Sequence, residues 1–89
     1  LYQNAPVFYF SLDDEGRLLV CNDTMLRALG YAIHELVGRP YSEILPEPQR
    51  SAFPARFAAF LATGTAEVET RWLKADGTII DVWLTAMSR

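Results

Sequence analysis

The sequence predicts a small α+β domain in which short helices and one longer helix lie on one face of an antiparallel sheet. Segments with strand-like alternation occur as a pair at each end of the chain, and segments with helical spacing lie between the pairs. With 89 residues, of which 51% are hydrophobic and 12% aromatic, the chain can build one core. We therefore expect a single domain over residues 1–89.

The first pair of strands is predicted at residues 7–12 and 17–21, on either side of an acidic turn that closes at Gly16. We interpret Asp13, Asp14 and Glu15 as turn residues, because aspartate in turns bonds to nearby backbone, and not as a metal loop or an acid–base pair. In the first strand, alternation places Phe8, Phe10 and Leu12 on one face. In the second strand, it places Leu18 and Val20 on one face.

Two very short helices are predicted between residues 22 and 38. Asn22 or Asp23 can cap the first, whose apolar stripe is Met25, Leu26 and Leu29, and Gly30 ends it. The second is expected to include residues 35–37 and to end at Gly38. Helices this short are marginal alone, so we expect them to lie as a lid across the sheet.

The longest helix is predicted to follow a single helical turn at residues 41–45 and the interruption by Pro46 and Pro48. Because proline is tolerated only in the first turn of a helix, Pro54 places the N-cap at Ser51, and Gly64 ends the helix after Thr63. Its apolar stripe is expected to contain Phe53, Phe57, Phe60 and Leu61.

The last third of the chain, residues 66–87, predicts a long hairpin around Asp76 and Gly77. A two-residue loop would pair Arg71 with Val82 and mix charged with aliphatic side chains on both faces. A three-residue loop with Gly77 in a bulge instead pairs Arg71 with Asp81, so we predict that register. The inner face then carries Ala66, Val68, Thr70, Trp72, Ile80, Val82, Leu84 and Ala86.

The outer face of this hairpin carries more apolar surface than solvent contact requires. We interpret this surface as a candidate interface of a homodimer, formed by Leu73, Ile79, Trp83 and Met87.

The sequence resembles a PAS domain over nearly its whole length. The resemblance rests on short motifs in a fixed order, which are Asp13 and Gly16 before Leu18, Asn22, Gly30-Tyr31, Glu35-Leu36-Val37-Gly38-Arg39, Pro46-Glu47 with Arg50, Gly64, and Arg71 with Asp76-Gly77-Thr78. It implies a five-stranded antiparallel sheet whose helices enclose a small pocket. It also implies a sensory or dimerising module attached to an effector domain, typically in bacterial histidine kinases, diguanylate cyclases or transcription regulators.

Two departures from the family pattern matter. Ala32 stands where the family usually has a capping Ser or Thr, so the second short helix should fray, although Glu35 can still bond back to the backbone. The family's fifth strand, which lies between the first strand and the last hairpin, is missing before residue 89. We therefore expect the chain to be a fragment of a larger multidomain protein, or to receive that strand from another molecule.

Composition excludes several functional classes. A net charge of −3 and a pI near 4.9, without a basic cluster, argue against a nucleic-acid surface. No apolar run reaches membrane-spanning length, so we expect no direct membrane insertion and a cytoplasmic location, which is compatible with a membrane-anchored parent protein.

The resemblance also bears on cofactors and catalysis. The reactive cysteine of flavin photosensors of the related LOV class follows a Gly-Arg-Asn sequence, whereas Cys21 lies in the second strand and is better explained as a packed thiol. Haem-binding members use a histidine on the long helix, whereas His34, the only histidine, lies on the lid and should be solvated. A flavin adduct and a His-ligated haem are thus disfavoured, no metal site is expected, and we expect no enzymatic activity.

The remaining candidate is a pocket for a small ligand between the sheet and the long helix. A filled core that serves only dimerisation is the alternative, because interiors are normally close-packed. Arg39 beside Tyr41 could hold an anion at the pocket mouth, although a surface arginine is the simpler interpretation. The candidate pocket residues are Phe8, Phe10, Val20, Met25, Leu29, Leu36, Tyr41, Phe57, Phe60, Leu61, Trp72, Val82 and Leu84.

Overall fold

The computed structural model describes residues 7–88, and their fold confirms the α+β class and the predicted order of elements. The elements are β1 (Phe10–Leu12), β2 (Leu18–Cys21), α1 (Asp23–Leu29), α2 (Ile33–Leu36), a 3-10 helix (Tyr41–Ile44), α3 (Gln49–Thr63), β3 (Thr65–Leu73) and β4 (Ile79–Met87).

The hairpin of β1 and β2 contains a bulge that the alternation did not reveal. Leu19 has no partner in β1, so Leu18 and Cys21 both point inward and are buried, whereas Val20 is 49% exposed. The prediction that Leu18 and Val20 share a face is therefore wrong. The cross-strand pairs are Phe10–Cys21, Ser11–Val20 and Leu12–Leu18.

The turn between these strands forms as expected. The Asp13 carboxylate accepts hydrogen bonds from the backbone N–H groups of Glu15 and Arg17, both at 2.9 Å. Two backbone bonds between β2 and the segment after α2 then fix this hairpin to the helical layer, from Leu18 N to Arg39 O at 2.9 Å and from Gly38 N to Leu18 O at 2.7 Å.

The two short helices lie where they were predicted. Asn22 caps α1, since its Oδ1 accepts from the Met25 N–H at 3.0 Å, and α1 ends at Gly30 in the left-handed conformation (φ 84°). Helix α2 ends at Leu36, with Val37 as C-cap, and so stops before Gly38. As expected, Ala32 provides no side-chain cap, and the Glu35 carboxylate accepts from the Ala32 N–H at 2.8 Å.

Helix α3 begins at Gln49, two residues before the predicted N-cap Ser51. The Glu47 carboxylate takes the capping role because it accepts from both the backbone N–H (3.0 Å) and the hydroxyl (2.9 Å) of Ser51. Pro54 consequently lies in the helix interior and not in the first turn, where it removes the helical bond that residue 54 would donate to the Arg50 carbonyl. The predicted end at Thr63, followed by Gly64, is confirmed.

The hairpin of β3 and β4 has the predicted register. Arg71 pairs with Asp81, and Lys74 N–H donates to the Thr78 carbonyl at 2.7 Å, which closes a loop of three residues. Gly77 occupies the left-handed position of this loop (φ 89°), which a residue with a Cβ adopts only under strain. Residues of the inner face are buried or half-buried, whereas the outer face is mostly exposed.

The core lies between the two hairpins and the short helices. Trp72 is its largest fully buried side chain, and none of the residues of α3 is fully buried. The long helix therefore covers the hairpin only in part. The core consists of Leu18, Cys21, Met25, Leu26, Leu29, Leu36, Tyr41, Ile44, Leu45, Trp72 and Val82.

The strands form two separate two-stranded sheets, β1–β2 and β3–β4. Within residues 7–88 no strand joins β1 to β4, which agrees with the expected lack of a fifth strand in this chain. No helix in this part of the chain is long and apolar enough to cross a membrane.

Candidate ligand-binding groove

A groove of about 410 Å³ lies between α3 and the inner face of the β3–β4 hairpin. We call it the α3 groove. Its apolar lining comes from β1 and the segment before α3 (Phe10, Leu12, Tyr41, Leu45), from α3 (Phe53, Phe57, Phe60) and from the hairpin (Ala66, Val68, Leu84, Ala86).

A continuous series of aromatic rings lines one side of the groove. Phe10 stacks on Tyr41 with ring centroids 5.1 Å apart, and Tyr41 contacts Phe53 at 5.3 Å. Phe53 stacks on Phe57 at 5.2 Å, and Phe57 contacts Phe60 at 6.2 Å. These separations lie in the favourable range for aromatic pairs, so the rings support one another, although the planes of Tyr41 and Phe53 are inclined by 57° and those of Phe57 and Phe60 by 32°.

The three phenylalanines of α3 are only half-buried, because the groove beside them is not filled by the described residues. Their spacing of four and three residues places them on one helix face, as predicted. Leu61 was expected on the same face but is 46% exposed. It follows Phe60 by one residue, which turns its side chain by about 100° around the helix axis and away from the groove.

Tyr41 connects the groove to the core. Its hydroxyl accepts a hydrogen bond from the Trp72 indole Nε1–H at 2.8 Å, and Trp72 is fully buried. Burial raises the pKa of Tyr41 to about 12, although the bond from Trp72 opposes this shift. Tyr41 is therefore neutral at any physiological pH and offers a hydroxyl, not a charge.

Gln49 is the unexpected polar residue of the groove lining. Its side-chain Oε1 is buried and has no hydrogen-bond donor among residues 7–88. Buried polar atoms are nearly always paired, so this oxygen is an exception, and with almost no accessible surface it does not open onto the groove.

Charged side chains of the groove lining are exposed and include both signs, namely Arg56 on α3 and Glu67 and Glu69 on β3. A second depression of about 580 Å³ adjoins the groove at Gln49 and is lined mainly by polar hairpin residues, among them Arg71 and Asp81. The apolar α3 groove is the better candidate for an organic ligand.

Arg39 does not line the α3 groove. Its guanidinium donates to the Glu43 carboxylate at 2.6 and 2.9 Å, with both side chains about half exposed. This pairing supports the simpler interpretation of Arg39 as a surface residue and not as an anion site.

The predicted pocket residues fall into three groups. Phe10, Tyr41, Phe57, Phe60 and Leu84 line the groove. Val20 and Leu61 are exposed and lie outside it. The others form or pack against the core away from the groove, and these are Phe8, Met25, Leu29, Leu36, Trp72 and Val82.

The pocket prediction missed the polar lining residues Gln49 and Arg56. Gln49 precedes Phe53 by four residues, so helical spacing could have found it if α3 had been started at its true first residue. Because the N-cap was predicted at Ser51, Gln49 was not assigned to the helix.

The predicted interface residues all lie on the outer face of the hairpin. Trp83 and Met87 are 67% and 79% exposed, Ile79 is exposed and Leu73 is half-buried.

The cysteine and the histidine lie where they were expected. Cys21 is buried, which raises the pKa of its thiol, and His34 is exposed. Residues 7–88 contain no cluster of three His, Cys, Asp or Glu side chains that could hold a metal ion.

Comparison with known proteins identifies the family. The family model described as PAS fold matches residues 1–89. No curated protein matches the chain significantly.

Several solved structures share the fold. The PAS domain of an HTR-like protein from Haloarcula marismortui superposes with a TM-score of 0.79 at 21% identity, covering 94% of this chain and 69% of that one. The PAS domain of a two-component sensor histidine kinase gives a TM-score of 0.75 at 21% identity, covering 94% and 72%.

The PAS-B domain of Drosophila melanogaster Cycle, solved with bound ethylene glycol, gives a TM-score of 0.76 at 17% identity, covering 89% of this chain and 79% of that one. At these identities the likeness concerns the fold alone. The match of the family model over the full length, together with the strand register and helical layer described above, shows that the chain belongs to the PAS family.

Proposed function

We propose that this PAS domain is the sensory part of a signalling protein. It binds a small ligand in the α3 groove, or changes its dimer packing, and thereby regulates an effector domain in the same parent chain. The effector classes that fit are a histidine kinase, a diguanylate cyclase or a transcription regulator.

The observation that carries the proposal is the half-buried aromatic face of α3 beside an unfilled groove. A volume of about 410 Å³ falls within the range of small-molecule sites, which is roughly 300–1,000 Å³. A structural helix would gain stability by filling this space, since each void forfeits dispersion contacts. A ligand in this space would supply the contacts that the described residues leave unmade.

The solved relatives support the same role. One is the PAS domain of a two-component sensor histidine kinase, and another holds a small polyol, ethylene glycol. The proposed role is regulatory and non-catalytic, because no nucleophile–base pair is found among the groove residues. We propose a cytoplasmic location for the domain.

A purely structural dimerisation module is the second candidate. The observation that favours it is the exposed apolar surface of Trp83, Met87 and Ile79 on the outer face of the hairpin. In this case the groove has no ligand and the outer face alone carries the function.

Native and denaturing mass spectrometry of the purified protein test the sensory proposal. We expect an additional non-covalent mass on the native protein that disappears on denaturation. Ala66→Leu narrows the groove and should reduce the fraction carrying this mass, whereas Thr85→Leu, on the outer face of the same hairpin, should leave it unchanged. A native spectrum without added mass, together with thermal stability that does not respond to any small molecule in a screen, would refute ligand sensing.

Sedimentation velocity over a range of concentrations tests the dimer. We expect Trp83→Glu to weaken self-association without changing the circular dichroism spectrum, because Trp83 is two-thirds exposed in the monomer. Ala58→Glu, at an exposed position of α3 outside the groove lining and the outer face, is the matched control for added charge. A wild-type protein that stays monomeric at every concentration would contradict the dimer proposal.

A further inference from the structure

The outer face of the β3–β4 hairpin has a symmetric order of side chains. Its cross-strand pairs, in sequence along the strands, are Thr65–Met87, Glu67–Thr85, Glu69–Trp83, Arg71–Asp81 and Leu73–Ile79. The middle pair is Glu69–Trp83, and the pairs at both ends carry apolar side chains. On β3, the acidic Glu67 lies on one side of the middle pair and the basic Arg71 on the other. A surface with this order can be complementary to a second copy of itself.

One two-fold axis brings the opposite charges together. The axis lies between two facing hairpins, at right angles to their strands, and passes over the Glu69–Trp83 pair. It places β3 over β3 and β4 over β4 in reversed directions, so each pair lies over the one equally far beyond the middle. Arg71 then faces Glu67 of the second copy, and the same contact occurs a second time in the other direction.

The same axis places the exposed apolar side chains of β4 against one another. Trp83 meets Trp83 of the second copy at the centre, and Ile79 meets Met87 on either side. Facing sheets pack about 10 Å apart, a distance that side chains of this size can fill. A central tryptophan is typical of the residues that contribute most to binding.

Arg71 is available for a contact with another subunit. Among residues 7–88 its ion pair is with Asp81, at 4.0 Å from Nε to Oδ1, and the Asp81 side chain is 95% exposed. An exposed pair at this distance contributes little stability, so Arg71 can bind a further carboxylate. Glu69 would face its own copy, but it is exposed on a strand that pairs only with β4 among the described strands, so its carboxylate can turn to solvent.

A two-fold axis parallel to the strands fits this surface less well. It would place β3 over β4, so that Trp83 would face the carboxylate of Glu69, and Met87 would face Thr65. The two most exposed apolar side chains of the face would then lack apolar partners, and burying Glu69 beside the indole would cost desolvation energy.

We propose that the outer face of the hairpin is a homodimer interface in which two hairpins pack antiparallel, with Trp83 at the centre and reciprocal ion pairs between Arg71 and Glu67. This inference rests on the proposed dimer and adds its geometry. Because the interface is isologous, every contact outside the centre occurs twice.

A mixture of two charge-reversal variants tests this geometry. Arg71→Glu brings two carboxylates together at both reciprocal contacts, and Glu67→Arg brings two guanidinium groups together. Sedimentation velocity should therefore show self-association about tenfold weaker for each variant alone. An equimolar mixture has opposite charges at both contacts, so a heterodimer should form about as tightly as the wild-type dimer. The difference should shrink in about 1 M salt, where the Debye length is about 3 Å.

Arg27→Glu is the matched control. Arg27 is exposed on α1, outside the hairpin, and its reversal changes the net charge by the same amount as Arg71→Glu. This variant should self-associate as tightly as the wild type. Circular dichroism of each variant checks that the fold is unchanged.

Each other outcome overturns the inference in a distinct way. A mixture that associates no more tightly than the separate variants would refute the antiparallel geometry and leave the dimer intact. If Asp81→Arg weakens association and only its mixture with Arg71→Glu restores it, the hairpins pack parallel, because Arg71 faces Asp81 in that arrangement. A wild-type protein that is monomeric at every concentration would refute this geometry together with the proposed dimer, and would leave the proposal of ligand sensing unaffected.

Discussion

The hydrogen bond between Trp72 and Tyr41 gives the sharpest prediction for stability. Tyr41→Phe removes the acceptor but keeps the ring that stacks on Phe10. Trp72 is fully buried and Tyr41 is 5% exposed, so water cannot replace the lost acceptor in the existing packing. An unpaired buried donor costs about 1–3 kcal/mol, and we expect the free energy of unfolding to fall by that amount.

Urea denaturation at neutral pH measures this change. Tyr31→Phe is the matched control, because Tyr31 is half-buried and its hydroxyl makes no hydrogen bond within residues 7–88. The control should change stability by less than about 0.5 kcal/mol. In a domain of this size, 1 kcal/mol corresponds to roughly 4–8 °C in Tm, so thermal unfolding should resolve the two variants. Equal stability of the two variants would refute the structural role of the bond.

Alkaline pH provides a separate test of the burial of Tyr41, which raises the pKa of its hydroxyl against the opposing effect of the bond from Trp72. The folded-state pKa of Tyr41 is raised from 10.0 to about 12, so its contribution to stability is fully present below pH 10 and is lost as the pH rises through 12. The loss amounts to about 1.4 kcal/mol for each pH unit within that window. We expect Tyr41→Phe to lack this component. A variant that loses stability between pH 10 and 12 as steeply as the wild type would contradict the assignment.

Two further predictions concern helix ends. Ala32→Ser should supply the missing side-chain cap of α2, whose other half is already formed by Glu35, and should raise the free energy of unfolding by about 0.5–1 kcal/mol in urea denaturation. A lower stability would contradict this account of α2. The bonds that Glu47 accepts from Ser51 lower the pKa of this carboxylate, so its contribution is present above pH 4.5 and is lost as the pH falls through the lowered value. The difference in Tm between wild type and Glu47→Gln should therefore shrink in acid, and a constant difference would contradict it.

The β3–β4 hairpin could be predicted down to its register because two independent constraints agree. The burial pattern requires Trp72 and Val82 to face inward, and only the three-residue loop also places Arg71 opposite Asp81. A slip of one residue would have placed charged side chains of one strand beside aliphatic side chains of the other on both faces. Because both constraints give the same register, the pairing of this long antiparallel hairpin could be predicted from the sequence.

Two of the errors arose where a local feature changes the phase of a pattern or shifts the start of an element. In β2 the bulge at Leu19 moves Cys21 inward and Val20 outward, and alternation alone cannot detect an inserted residue. At α3 the rule that proline belongs to the first turn placed the start at Ser51, whereas Glu47 caps a helix that begins earlier. Both effects depend on contacts between segments, which a linear pattern does not contain.

The candidate site was harder to predict than the fold because the groove is a region of incomplete packing. The sequence pattern places the aromatic residue of the core, Trp72, and those of the groove, Phe57 and Phe60, alike on inward-facing apolar faces. Only their exposure separates them, since Trp72 is fully buried and Phe57 is half-buried. Exposure is a property of the assembled fold, so the sequence could predict one apolar cluster but not its division into core and groove.

The same division suggests how a ligand in the groove could affect a partner. Alternate residues of β4 point in opposite directions, so Leu84 and Ala86 line the α3 groove while Trp83 and Met87 lie on the outer face. A ligand that pushes against Leu84 therefore acts on the same short stretch of backbone that carries the exposed apolar surface. We expect the two proposed activities to be coupled for this reason. If they are, Ala66→Leu, which fills part of the groove from the inner face, should change the dimerisation constant measured by sedimentation. A dimerisation constant equal to that of the wild type would show that the groove and the outer face act separately.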